Sequence, residues 1–235
     1  MIYAEYLSTA ENHRWILDTD IAWDDVDPEL ARSQPQLLDR LRDSALIESF
    51  FPLFTLRAID VLWDDVAATA VFSIQLFESY KHYHVFNQYL ERVNYRPISD
   101  AEVVDIRRRN QGLRYHDGTQ LLTRYMMSEH LAAHYFFKDA RQSLEPVLAN
   151  ILQLVGRDEV RHAQFAFDLL DQRLHARPEE IAKVLQAARE FRHIGLEVVP
   201  TVPVAEKNDF AAIVTLNQKI VRLTGQGLAE DANRS

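Results

Sequence analysis

The chain contains no cysteine. That removes disulfides, thiolate metal sites, cysteine-ligated iron–sulfur clusters and a cysteine nucleophile. Glycine and proline are also scarce, at 6 and 8 of 235 residues, which leaves long stretches free for helices. No apolar run reaches the length of a membrane span before a charge interrupts it. Basic residues are outnumbered: 26 Lys and Arg against 35 Asp and Glu give a formal net charge of -9. A nucleic-acid or anionic-membrane partner needs a basic face, so both are disfavoured. The amino terminus lacks the basic-then-apolar order of a signal peptide. A cytoplasmic location is therefore expected.

What is present is apolar and periodic. Hydrophobic residues make up 47% of the chain, enough for one large core. The spacing predicts an all-α protein with long helices over residues 37–62, 66–93, 119–140 and 147–174. Pro52 falls inside the first of these and should kink it. A short helix is expected over residues 101–109. A fifth helix should open at Arg177-Pro-Glu-Glu180 and end near His193, and a last amphipathic one should span residues 209–223, after breaks at Pro200 and Pro203. Residues 1–36, with Trp15 and Trp23, read as an irregular or short-helical segment wrapping the bundle. The polar residues 226–235 are expected to fray. No strand pattern or dividing linker appears, so residues 1–235 read as one domain.

One pattern occurs twice. Glu48 is followed thirty residues later by Glu78 and then His82; Glu129 is followed thirty residues later by Glu159 and then His162. Each Glu lies about fifteen residues from the turn joining its two helices, or roughly 20 Å at ~1.5 Å per residue. Antiparallel neighbours then place all four carboxylates at one height. Spacings of four (Glu78, His82) and three (Glu159, His162) put each pair on one helix face. Carboxylates with imidazoles suit iron or manganese. A lone helical Glu is usually solvated, and a Glu/His pair is more often a surface pair. Here, however, Glu48 sits between Ala45-Leu-Ile and Phe50-Phe-Pro-Leu-Phe54, and Glu129 among Tyr125, Met126, Met127 and Leu131. A carboxylate buried there requires a partner or a metal.

The segment Asp158-Glu159-Val160-Arg161-His162, Glu129 on the preceding helix, and Glu48 a few residues before Pro52 together resemble the soluble acyl-carrier-protein desaturases. That family stands within the ferritin-like diiron oxygenases and ribonucleotide reductase small subunits. The resemblance runs from about residue 45 to 223 and is densest over residues 128–167. It implies a ferritin-like four-helix bundle with extra C-terminal helices and two Fe ions, with Mn possible at either position. It further implies O2 activation for a desaturase, hydroxylase or N-oxygenase reaction on a small organic or acyl-carrier-bound substrate. An electron donor such as ferredoxin and a homodimer are implied with it.

The expected ligands are Glu48, Glu78, His82, Glu129, Glu159 and His162, with Asp158 accepting a hydrogen bond from a ligand imidazole. The chain departs from the family's Glu-Glu-x-Arg-His second-helix motif: aligned on His82, Ser79 takes the ligand position and Glu78 falls one residue early. Either Glu78 reaches the metal from there or one ligand is missing; the thirty-residue repeat favours Glu78. Ala132 also replaces a family Thr. An iron-storage or ferroxidase protein and a metal-free ferritin-like scaffold are the alternatives. His84, His130 and His134 are candidate extra ligands, Tyr80, Tyr83, Tyr125 and Tyr135 candidate radical sites, and Arg107-Arg-Arg109 a candidate carrier contact. For each, an ordinary core or solvated role is the simpler reading.

Overall fold

Short, well-capped connections set the architecture. The computed structural model describes residues 2–199 and 210–228. In chain order the helices are α1 (Ile2–His13), α2 (Pro28–Arg32), α3 (Pro35–Val61), α4 (Val66–Arg92), α5 (Asp100–Arg109), α6 (Gly118–Gln142), α7 (Pro146–Ala176), α8 (Ile181–Arg189) and α9 (Phe210–Thr224). No strand occurs among the described residues. None of their helices is long and apolar enough to cross a membrane.

Residues 62–65 join α3 to α4, and residues 143–145 join α6 to α7. Links this short force antiparallel neighbours. Each following helix starts on a carboxylate that accepts from its free N–H groups. Asp65 takes Ala68 N at 2.9 Å. Glu145, fully buried, takes Leu148 N at 2.7 Å. The other oxygen-bearing duty of Glu145 is to accept from the Tyr89 hydroxyl at 2.7 Å, which ties the second hairpin to α4. Asp117 caps α6 through Thr119 and Gln120, and Ser99 with Glu102 forms a capping box on α5. The hairpins meet through α4 against α7 and α3 against α6. Gly156 lets α7 lie close to α6: a Cβ there would stand 3.1 Å from the Phe137 ring.

The buried apolar residues form two clusters. One holds Phe50, Phe54, Phe72, Tyr125, Leu169 and their neighbours. The other holds Leu38, Ala45, Phe86, Phe136, Ile151 and theirs. Between them, at the middle of the four long helices, lies a layer of buried polar residues: Glu48, Ser49, Gln75, Glu78, Ser79, His82, Ser128, Glu129, Asp158, Glu159 and His162. The layer sits where the equal distances from the two turns predict it.

The amino-terminal segment is short-helical, as expected, with α1 packing on α4 and α7. One expectation is corrected. The fifth helix is split, because Pro178–Glu180 forms a 3₁₀ turn before α8, which stops at Arg189, short of His193. Helix α3 runs unbroken through Pro52. Pro200, Pro203, Asp209 and residues 229–235 lie outside the described residues.

Candidate metal centre

Four helices each contribute to the layer. Glu48 comes from α3, Glu78, Ser79 and His82 from α4, Glu129 from α6, and Asp158, Glu159 and His162 from α7. Among the described residues, two groups bring metal-ligating atoms within 4.8 Å of one another: Glu48, His82 and Glu159; and Glu129, Glu159 and His162. Glu159 belongs to both. Its Oε1 lies 3.1 Å from His82 Nδ1 and its Oε2 lies 2.8 Å from His162 Nδ1. Glu48 Oε2 stands 3.9 Å from His82 Nδ1, and Glu129 Oε2 3.5 Å from His162 Nδ1.

The outer nitrogens are held in matching ways. His82 Nε2 lies 3.0 Å from Asp158 Oδ2, and His162 Nε2 lies 2.8 Å from Glu78 Oε2. An ionised carboxylate only accepts, so each Nε2 carries a proton, and each Nδ1 faces Glu159 at the centre, the nitrogen a metal could take. Arg161 clamps both carboxylates, with Nη1 2.7 Å from Asp158 Oδ1 and Nη2 2.8 Å from Glu78 Oε1.

Of the six expected ligands, five therefore converge in the two groups. Glu78 does not join them: it takes the mirror-image role of Asp158. Ser79, one residue on, is buried beside Glu48 and hydrogen-bonds to it. A single residue is ~100° of helical rotation, so these two side chains cannot serve the same point.

The amino-terminal segment completes the shell, a role the sequence did not disclose. The Tyr6 hydroxyl donates to Glu78 Oε2 at 3.1 Å, and Trp15 Nε1 donates to Asp158 Oδ2 at 2.8 Å. Lys81 Nζ stands 3.9 Å above the Trp15 ring. His193, between α8 and α9, is also buried near the centre; nothing in its local sequence marked it. By contrast, His130 bonds to Ala212 O and Thr215, Arg107 to Ser49 O, and Arg109 to Asp105.

The electrostatics are those of a site built for cations. Burial, then repulsion from Glu159, pushes Glu48 up to about 8. Burial and Glu159 likewise hold Glu129 well above the carboxylate range. Burial would raise Glu159 too, but His162 and the hydrogen bonds from Glu129, His162 and His82 hold it well below that range. Burial would lower His82, yet Asp158 and Glu159 raise it to about 9. Against the cost of burial, His162 and Arg161 keep Glu78 down at about 2, and His82 and Arg161 do the same for Asp158. Protons therefore stand in for missing positive charge.

A metal fits this donor set on two counts. Glu48 Oε2 is buried without a hydrogen-bond partner, and His82 Nδ1 and Glu159 Oε1 of the same group have only each other, at 3.1 Å. Such atoms are costly unless something binds them. Five carboxylates, if ionised, outnumber the cationic side chains beside them, Arg161 and Lys81, an excess of negative charge that bound cations would offset. No protein-family model, curated protein or solved structure matches the chain.

Proposed function

We propose that the chain is a ferritin-like, O2-activating non-haem diiron oxidoreductase. The observation that carries this reading is Glu159, shared between two Glu/His groups whose imidazoles both turn Nδ1 inward. A carboxylate so placed would serve an ion in each group, in line with the dinuclear site that the resemblance to the acyl-carrier-protein desaturases implies. When bound, a ferrous pair supplies the electrons that activate dioxygen. The protein's own contribution is geometric and electrostatic. Asp158 and Glu78 fix the tautomer and tilt of the two imidazoles, Arg161 holds those carboxylates, and the two apolar clusters above and below exclude water.

The same ligands would serve a ferroxidase. The slot that reaches Glu48 from the surface, described below, favours an organic substrate over storage. Anaerobic reconstitution with ferrous iron tests the reading: two Fe ions per chain, oxidised on exposure to O2 with a ligand-to-metal absorption band, are expected. Failure to bind iron leaves the metal-free scaffold.

A further inference from the structure

The two faces of the metal layer are closed to different degrees. On the α4 and α7 side, α1 and Trp15 cover the histidines. On the α3 and α6 side a slot of about 120 Å³ runs from the surface to Glu48. It is made by two facing stripes at helical spacing, each i, i+3, i+4, i+7. Arg40, Asp43, Ser44 and Ile47 come from α3; Ala132, Tyr135, Phe136 and Asp139 come from α6. The small side chains of Ser44 and Ala132 leave the gap, and His193 closes one side. From Arg40 to Glu48 is eight residues, or about 12 Å along the helix. The floor is Glu48, a side chain only 6% exposed that belongs to one of the two candidate ligand groups.

The charge along the slot decides what it admits. Arg40 at the rim is already engaged: its Nη2 lies 2.7 Å from Asp139 Oδ1 and its Nε 3.1 Å from Asp139 Oδ2. A carboxylate ligand would have to break that two-pronged pair. Asp43, half-buried one turn further in, has no hydrogen bond or ion pair among the described residues. His193 adds no positive charge, since burial lowers it to about 4. Arg42 and Arg96 offset part of the Asp43 charge from outside the slot and Asp39 adds to it, but within the slot Asp43 is the acidic group that no ion pair covers among the described residues. The volume sets the size: an apolar cavity of about 150 Å³ takes one benzene, so this slot takes about five heavy atoms and not a long acyl chain.

We propose that this slot is the substrate site, and that it binds a short alkylammonium with its charge at Asp43 and its carbon chain directed to Glu48. The proposal rests on the diiron reading, and the experiment keeps the two separable. Protein reconstituted anaerobically with ferrous iron is titrated by calorimetry with n-butylamine, butyrate and n-butanol, and iron per chain is measured on the same sample. Butylamine should bind at least about tenfold more tightly than the other two. Asp43→Asn should remove that preference, and Ser44→Leu should abolish binding by filling the slot; both should keep the iron content and helical circular dichroism of the parent. Equal or tighter binding of butyrate, or a full preference for butylamine in Asp43→Asn, overturns the proposal. Two Fe ions bound with no butylamine binding overturns it while leaving the diiron reading intact. Butylamine binding without iron keeps the slot and removes that reading.

Discussion

Glu78 Oε2 lies 2.8 Å from His162 Nε2, on the side of the ring turned away from Glu159. On the diiron reading, that distance makes Glu78 a partner of a ligand rather than a ligand. Glu78→Gln should therefore keep the metal count of the parent and weaken affinity by roughly 10–100-fold, as loss of such outer partners does. Titration with ferrous iron reads both quantities. Loss of one ion per chain would restore Glu78 to the ligand set.

Ser79 stands at the position where the resemblance expects a Glu ligand, and it faces Glu48. Ser79→Glu should tighten binding of the second ion, because a fourth carboxylate adds a shared anionic donor. In the metal-free protein the same change should lower stability. It adds bulk to a packed layer, at about 1–3 kcal/mol, and a further buried acid beside groups that already hold protons. Opposite shifts in Tm with and without metal are the signature. Equal destabilisation in both states would place residue 79 off the site.

Tyr6 and Trp15 belong to the amino-terminal segment but hold the outer carboxylates from 72 and 143 residues away in sequence. Tyr6→Phe removes one hydrogen bond and should cost about 0.5–1.5 kcal/mol. It should also lower iron affinity without changing the count. Trp15→Phe should act in the same direction through Asp158. A stability loss with unchanged affinity would reduce both residues to packing.

The reach of these contacts explains what could be read in the sequence. The four long helices were legible because Leu38, Leu41 and Ala45, and their counterparts elsewhere, recur at helical spacing. Asp65, Pro146 and the acids beside them mark the ends. Glu48, Glu129, Glu159 and both histidines were legible because each half of the chain repeats the same thirty-residue interval. Glu78 falls outside the two groups because that interval counts residues and not angle: one step along α4 rotates the side chain by ~100°. Tyr6, Trp15 and His193 were not legible. Their partners lie on distant helices, and no local pattern encodes which tyrosine or tryptophan will meet a carboxylate.

Stability should depend on pH in opposite senses with and without metal. In the metal-free protein, Glu48 is raised to about 8 and His82 to about 9. A raised group stabilises the fold below its unfolded pKa, and that contribution is lost as pH rises through its folded value. Glu48 therefore weakens the metal-free fold as pH rises from about 4.5 to about 8, and His82 from about 6.5 to about 9. His193, lowered to about 4, is uncharged in the fold throughout, but its unfolded imidazole sheds its proton around pH 6.5, so it opposes them only up to the lower edge of the His82 window. Ligation instead requires these protons to leave, so metal affinity rises with pH. Thermal melts should diverge toward pH 9, falling without metal and holding with it. Parallel curves would contradict the charge balance assigned to the layer.

The most direct test is the number of iron ions bound after anaerobic reconstitution, in the parent chain and in Glu159→Ala. The account predicts two per chain in the parent. It predicts near-complete loss in the variant, since Glu159 alone serves both groups, whereas Glu48→Ala and Glu129→Ala should each lose one. No iron in the parent, or two retained in Glu159→Ala, would contradict a carboxylate-bridged dinuclear centre.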